Sequence, residues 1–142
     1  MGVLADAFVR YNTALLTLSA HMAADTGLTL SEMAACDHLR LDGPLTPRDL
    51  GRRIRLSSGA VTPLLDRLEA RGFVARSPNP NDRRSVLVRY LPQERRVVGR
   101  LYAVLEGLRL EAERLDARER QAVLGFLKAM TASLTEAANT PI

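Results

Sequence analysis

Arginine is the side chain whose number and spacing carry most of the chemistry in this 142-residue sequence. Between positions 48 and 100 there are 13 arginines, no lysine and five acidic residues, so the segment has a net charge of +8. The rest of the chain has 7 basic and 11 acidic residues, a net charge of −4. A guanidinium matches the geometry of a phosphate, and a merely solvated helical surface usually mixes the two signs. The segregation of charge predicts a surface that binds the phosphates of a nucleic acid.

The arginines lie on a predicted pair of short helices. Thr46 is a hydroxyl N-cap, Pro47 follows at the first helical position and Asp49 is at the third, which together mark a helix start. Ser57 is placed to cap the next helix, and Gly72 is placed to end it. The apolar face of that second helix has the 3–4 residue spacing of a buried stripe, formed by Val61, Leu64, Leu65 and Leu68.

A hairpin is predicted directly after the helix pair. Residues 73–77 and 85–91 have the β-branched and aromatic content of strands. Asn, Pro and Asp between them are residues that favour turns, and Arg83 and Arg84 follow at the tip. A hairpin tip is thin enough to enter the minor groove of DNA, whose negative potential attracts arginine.

The stretch SSGAVTPLLDRLEARGFVAR and the DRR of the hairpin tip resemble the winged helix-turn-helix of the MarR (multiple antibiotic resistance regulator) family. This resemblance implies a mainly α fold with a small two- or three-stranded β wing and a helical dimerisation region. Residues 1–142 would form a single MarR-like domain. Its DNA-binding region would span residues 28–91, and its dimerisation helices would span residues 1–27 and 92–138.

Two features depart from the family pattern. Pro63 lies inside the predicted recognition helix, and Leu91-Pro92-Gln93-Glu94 replaces a threonine and glycine that often follow the second strand. Pro63 lacks the N–H that would bond to the carbonyl of Gly59. We expect a local bend there and not a broken helix, because residues 64–68 keep their apolar period.

Specific side chains are assigned to double-stranded DNA from their types and from the family layout. Short side chains on the recognition helix can approach bases closely, so base contacts are expected from Ser57, Ser58, Thr62, Pro63 and Arg67. Phosphate contacts are expected from Arg48, Arg52, Arg53, Arg55, Arg76 and Arg83. The resemblance implies that Arg84 enters the minor groove and that Asp82 orients it by a charge-assisted bond.

Amphipathic helices are predicted on both sides of this region. The first, ended by Gly27, carries an apolar stripe at 4-3-4-3-4 spacing, formed by Leu4, Phe8, Tyr11, Leu15, Leu18 and Met22. A second helix would begin with Ser31 as its N-cap. A tract that begins at Pro92 carries Val98, Leu101, Leu105, Leu108, Ala112 and Leu115, and a last helix from about Glu119 carries Val123, Leu127, Met130 and Leu134. These stripes could pack within one chain, but the resemblance favours a homodimer.

The function expected from these features is a ligand-responsive repressor that binds a pseudo-palindromic operator. In the family a small-molecule effector often binds between the dimerisation and DNA-binding regions, where Tyr11, Leu15, His38 and Leu39 are the candidates here. Three alternatives remain at this stage: a thiol-based redox sensor that uses Cys36, a non-specific architectural DNA-binding protein, and a helical interaction protein whose arginines are only solvated.

Other functional classes lack the residues that they need. There is no glycine-rich phosphate loop and no Ser/His/Asp set at a suggestive spacing, so an enzyme is not expected. His21 and His38 are not paired at ligand spacing, so neither a metal nor another cofactor is predicted. A single cysteine, no apolar run near the roughly 18 residues of a membrane span and no basic leader predict a soluble cytoplasmic protein.

Overall fold

A computed structural model describes residues 2–93 and 99–140 of the chain. The chain divides into two compact units, residues 1–100 and residues 101–142. Along the chain the elements are α1 (Val3–Thr26), α2 (Leu30–Asp42), α3 (Pro47–Ile54), α4 (Ser58–Ala70), β1 (Val74–Pro78), β2 (Val86–Tyr90), α5 (Gly99–Arg114) and α6 (Ala117–Asn139). None of the helices described is both long and apolar enough to cross a bilayer.

Capping residues fix the boundaries of the first three helices. Helix α1 ends at Gly27, whose φ of 63° is the left-handed conformation that glycine adopts readily, as predicted. The Thr46 hydroxyl accepts a hydrogen bond from the amide of Asp49, which confirms the predicted start of α3. Helix α2, however, is capped by Thr29 and not by Ser31. Thr29 lies three residues before Glu32, so the two side chains and backbone amides form a reciprocal capping box that Ser31 could not form.

The core of the first unit lies between α2, α3, α4 and the hairpin. The predicted apolar face of α4 is confirmed, since Val61, Leu64, Leu65 and Leu68 are all buried. Each such side chain contributes about 1.5–3 kcal/mol when fully buried. Helix α3 crosses close to this face at Gly51, where an added Cβ would lie 2.8 Å from Val61 Cγ2. Glycine is therefore required for α3 and α4 to approach each other.

The hairpin is a two-stranded antiparallel sheet with an extra bridge. Val74 pairs with Tyr90 and Pro78 pairs with Val86, within one residue of the predicted strands. Leu45 forms an isolated bridge to Val88, with N···O distances of 3.0 and 2.8 Å. This bridge ties the hairpin to the residue that precedes α3, so the hairpin and the helix pair are held together.

Helix α4 continues through Pro63 without interruption, as predicted. Ser57 occupies the N-cap position, but its side chain makes no capping bond, which corrects the expected role of its hydroxyl. The backbone carbonyl of Ser57 instead accepts from the amides of Ala60 and Val61, both at 3.0 Å. The bend at Pro63 stays a prediction.

The long helices expose much of their apolar surface. In α1 only Thr26 is buried, whereas Leu4 and Tyr11 of the predicted stripe are 67% and 63% exposed. Helices α5 and α6 contain no buried residue among those described, and Leu108 and Leu127 are exposed.

Two predicted boundaries in the second half of the chain need correction. The described part of α5 begins at Gly99 and not at Pro92, which is not helical, and Val98 of the predicted stripe lies outside the described residues. Helix α6 begins at Ala117, two residues before the predicted Glu119. The reason is local, because Asp116 and Glu119 form a reciprocal capping box.

Candidate nucleic-acid interface

A groove of about 880 Å³ separates the helix pair from the hairpin. Its walls come from α3, from the first turns of α4 and from the hairpin tip. The lining residues are Thr46, Pro47, Arg48, Asp49, Gly51, Arg52, Leu56, Ser58, Val61, Thr62, Asn79, Asp82, Arg84, Ser85 and Val86. The groove thus brings together residues predicted to contact bases, phosphates and the minor groove of DNA. The most distant of them in the sequence, Arg48 and Arg84, are 36 positions apart.

The arginines around the groove differ in how they are paired. Arg48 and Arg84 line the groove and are exposed, and no ion pair involves their guanidinium groups within the described part of the chain. Arg52 and Arg53 form ion pairs with Asp49 and Asp42, respectively. Exposed ion pairs of this kind contribute about 0–1 kcal/mol, so a phosphate can replace the carboxylate at little cost.

The short polar side chains of α4 are exposed at its N-terminal end. Ser57, Ser58, Thr62 and Pro63 are all exposed, and Ser58 and Thr62 line the groove. The Thr62 hydroxyl donates to the carbonyl of Ser58 at 3.3 Å. Because this bond uses the hydroxyl hydrogen, the two lone pairs of the oxygen and the methyl group are what Thr62 can offer a ligand.

Arg67 makes a contact that its predicted role did not include. Its Nε donates to Oε1 of Glu32 at 2.8 Å. The Glu32 side chain is only 4% exposed, while that of Arg67 is 57% exposed. The pair therefore joins α4 to the beginning of α2. Glu32 would compete with a DNA base for the guanidinium of Arg67.

Arg76 is also paired, on the hairpin side of α4. Its guanidinium contacts both Glu69 and Asp66, and its backbone amide donates to Glu69 Oε1 at 3.0 Å. These contacts fix β1 against α4 and neutralise two acids near the predicted DNA surface. The predicted phosphate contact of Arg76 would have to compete with both carboxylates.

The hairpin tip is ordered by side chain to backbone bonds. Asp82 Oδ1 accepts from the backbone amide of Arg84 at 3.0 Å, and the side chains of Asn79 and Ser85 are bonded at 2.8 Å. The predicted bond between Asp82 and the Arg84 guanidinium is not among the described contacts, so Asp82 acts on the backbone of the turn. Arg83 is exposed at the same tip. Because the turn is fixed, the two arginines start from a defined backbone position.

Cys36 is buried in the core. Burial, with smaller effects of Asp37 and Glu32, raises the pKa of its thiol to about 12. A thiol must ionise and be accessible to be oxidised readily, so this environment argues against the redox-sensor alternative.

The four effector candidates do not share one environment. Leu39 is buried in the core and Tyr11 and Leu15 are exposed on α1. His38 Nδ1 lies 3.2 Å from Asp42 Oδ2, and in the described part of the chain no group of three or more His, Cys, Asp and Glu side chains is arranged to hold a metal. An effector site at these residues stays a prediction.

Comparison with known proteins identifies a family whose profile covers the residues that line the groove. The sequence profile of the MarR family matches residues 28–86. YcgE of Bacillus subtilis, an uncharacterized HTH-type transcriptional regulator, is 45% identical over 74 residues, which cover 51% of this chain and 48% of YcgE. YfiV of the same organism, also described as an uncharacterized HTH-type transcriptional regulator, is 33% identical over 113 residues, which cover 78% of this chain and 69% of YfiV. The chain belongs to the MarR family.

The MarR fold is shared over most of the chain, although the sequence match to some relatives is shorter. Apo MarR from Escherichia coli superposes with a TM-score of 0.59 and 26% identity, covering 92% of this chain and 97% of MarR. A mutant of the same MarR complexed with operator DNA superposes with a TM-score of 0.50 and 24% identity, covering 91% and 99%. These structures confirm the predicted winged-helix fold class. The chain spans about half the length of curated relatives such as YcgE in the aligned sequence.

Among the described residues of the first unit, three carboxylates have a pKa below the ordinary value. Burial would raise the pKa of Glu32, but hydrogen bonds from Thr29 and Arg67 outweigh burial and lower it. The Thr46 hydroxyl, then Arg52, lowers the pKa of Asp49, and the Arg76 amide and guanidinium lower that of Glu69. Each group therefore stabilises the fold above its ordinary pKa, and that stability is lost as the pH falls through the folded-state value.

Acid should destabilise the first unit as these groups become protonated. We expect the free energy of unfolding to fall as the pH drops below about 4.5, the ordinary pKa of a glutamate. Glu32→Gln should cost about 1 kcal/mol at pH 7, because a charged hydrogen bond becomes a neutral one. Urea unfolding of the wild type and of Glu32→Gln from pH 7 to pH 3 measures the two free energies of unfolding, and their values should converge at low pH. A constant difference between them would contradict the assignment.

Proposed function

We propose that this chain is a transcription regulator that binds double-stranded DNA through α4 and the hairpin. The groove carries this proposal, because it separates an exposed Ser/Thr helix face from an arginine-bearing hairpin tip. A helix in the major groove and a tip in the adjacent minor groove must straddle one sugar–phosphate strand. Arg48 and Arg84 line the space that this strand would occupy.

Base contacts are proposed from the exposed end of α4. Ser57, Ser58 and Thr62 can accept or donate to base edges, and Pro63 can contact a thymine methyl group. The further phosphate ligands proposed are Arg52, Arg53, Arg55 and Arg83. Their charge is concentrated in the +8 segment, which supports attraction of DNA over a distance.

The proposal includes a homodimer. Leu4, Tyr11 and Leu15 of α1 and, in the second unit, Leu108 and Leu127 expose apolar surface that a second copy can bury. A two-fold dimer presents two recognition helices one turn of DNA apart, about 34–36 Å, so the operator should be pseudo-palindromic. MarR from E. coli, which shares this fold, has been solved with operator DNA, and this supports the same use of the winged helix here. Repression, with release by a small-molecule effector, is the regulatory mode that we propose.

The alternative function is non-specific, architectural DNA binding. The ratio of the affinities for cognate and random DNA distinguishes this alternative from sequence-specific regulation. We expect the full chain to bind its cognate site, identified by genome-wide binding-site mapping, at least about 1,000-fold more tightly than a random fragment. Equal affinity for both would leave only non-specific binding. A mobility shift of the DNA upstream of its own gene, at two salt concentrations, is the first screen.

Arg48→Ala tests the phosphate assignment. Loss of one phosphate contact should weaken binding to cognate and random DNA by a similar factor. Because both subunits of the dimer lose this contact, the slope of log K against log salt concentration should become shallower by about 1.8, which is about 0.9 for each phosphate. Fluorescence anisotropy across a salt series measures this, and Arg118→Ala on α6 is a matched control that should change neither quantity. An unchanged slope for Arg48→Ala would remove this residue from the phosphate contacts.

A further inference from the structure

Arg67 of α4 and Arg71, the residue at the C-cap of α4, bind the start of α2 and the end of α1, respectively. Arg67 and Arg71 are one helical turn apart, so they lie on the same side of α4. Arg67 binds Glu32 at the start of α2, as described above. Arg71 Nη1 donates to the carbonyl of Gly27 at 2.9 Å, and Nη2 donates to the carbonyl of Thr26. A single face of the recognition helix thus contacts the end of one helix and the beginning of the next.

The contacts of Arg71 complete the C-terminus of α1. The last carbonyls of a helix have no partner within the helix, and a cation there also complements the helix dipole. The approach is close, since a Cβ on Gly27 would lie 3.3 Å from Arg71 Nη2. Arg71 is itself held by Phe73, whose ring centroid lies 5.4 Å from the guanidinium carbon.

The contact between Arg67 and Glu32 is also fixed on the α2 side, because Glu32 itself is held in place. Glu32 is buried, and its second oxygen accepts from the backbone amide of Thr29 at 2.9 Å. Removing Arg67 from this carboxylate would leave a buried charge with one partner fewer. The pair is therefore a fixed point between α4 and α2.

Apolar packing does little to hold α1 in the first unit. Thr26 is the only buried residue of α1, so the direction in which α1 leaves the winged region depends on polar contacts at its end. Helix α1 also carries the apolar stripe that we propose for the dimer. The orientation of α1 against α4 would then set the spacing of the two recognition helices.

We infer that Arg67 and Arg71 are positioning residues for DNA recognition, which hold α4 at a fixed angle to the turn between α1 and α2. This inference rests on the proposed DNA-binding function. Both residues act through the protein and not through a phosphate or a base. The base contact first predicted for Arg67 is the alternative that the experiment must exclude.

Charge-conserving variants separate positioning from electrostatics. Lysine keeps the positive charge but cannot reproduce the two-carbonyl contact of Arg71 or the Nε contact of Arg67. We expect Arg71→Lys and Arg67→Lys to bind the cognate site about tenfold more weakly, with an unchanged salt slope and unchanged affinity for random DNA. Arg118→Lys on α6, the matched control outside the proposed DNA-binding region, should bind the cognate site like the wild type, because this substitution removes no contact of α4.

A measurement without DNA completes the test. Spin labels at Arg10→Cys on α1 and Ala60→Cys on α4, in a Cys36→Ser background diluted with unlabelled chain, report the distance between the two helices. The distance distribution should shift or broaden in Arg71→Lys. If it does so while the wild type shows no preference for a cognate site, the proposed function fails and the positioning role stands.

Three results would overturn the inference. The first is an unchanged helix–helix distance in both lysine variants. The second is a lower melting temperature with undiminished affinity for cognate DNA, which would mark a purely structural role. The third concerns Arg67 alone: if its loss of affinity disappears when one particular base pair is changed, Arg67 reads that base directly.

Discussion

Deletion of residues 1–20 is expected to leave a chain that is unstable or aggregated and does not bind its operator. The deletion removes most of α1, including Leu4, Tyr11 and Leu15, whose exposed side chains are part of the proposed dimer interface. A dimer gains affinity because the second half-site binds as part of the same complex, and this gain is about 100-fold or more. A monomer would lose it even if its winged helix stayed folded.

Point variants test the same prediction in chains that fold. Leu15→Glu on α1 and Leu127→Glu on α6 place a charge on the proposed interface, whereas Leu41→Glu on α2 places it on an exposed leucine outside these helices. We expect the first two to shift sedimentation toward a monomer and to weaken operator binding at least about 100-fold. Leu41→Glu should remain dimeric. A deleted chain that is soluble, monomeric and fully active on DNA would disprove the dimer proposal.

Local sequence signals were sufficient to predict the helix pair. Thr46, Pro47 and Asp49 determine the start of α3 through contacts within one helical turn. Gly27 likewise ends α1 through its own backbone conformation. The buried stripe of α4 follows from helical periodicity alone. The cap of α2 could have been predicted too, because the acid of a capping box lies three residues after its hydroxyl, and this rule selects Thr29 over Ser31.

The roles of the arginines could not be read from the sequence in the same way. Arg67 meets Glu32 from 35 positions away, and Arg71 meets Thr26 from 45 positions away. An arginine side chain is long and flexible, so its partner depends on which elements the fold brings near it. Counting charge predicted a basic surface in the segment from residue 48 to residue 100. It could not separate the arginines that line the groove from those that contact the end of α1 and the start of α2.

The groove itself required the tertiary structure. Arg48 and Arg84 were each assigned to DNA, but their arrangement around one space depends on tertiary contacts such as the bridge between Leu45 and Val88. That bridge is a single pair of backbone hydrogen bonds, for which a residue pattern gives almost no signal. The position of the wing is therefore a property of the fold more than of the hairpin sequence.

The hairpin tip provides the second large effect that we expect. Arg84 lines the groove, and Asp82 fixes its backbone by accepting the amide hydrogen bond at 3.0 Å. An arginine inserted in a narrow minor groove is attracted by its enhanced negative potential. Arg84→Ala should therefore weaken operator binding at least about 100-fold, because both subunits of the dimer lose a charged hydrogen bond of about 1.5–3 kcal/mol. Arg83→Ala, which would remove a phosphate contact, should cost less.

The Asp82 variants decide whether the tip works by geometry or by charge alone. Asp82→Ala removes a negative charge, and attraction to phosphates alone would then increase the affinity for DNA. The substitution also removes the carboxylate oxygen that accepts the hydrogen bond from the Arg84 amide. We expect it to bind more weakly than the wild type, with a reduced preference for A·T at the positions that the tip contacts. Asp82→Asn keeps an acceptor oxygen and should bind at least as tightly as the wild type. Operator affinities of the four variants at one salt concentration test this, and tighter binding by Asp82→Ala would show that the tip acts only as a positive charge.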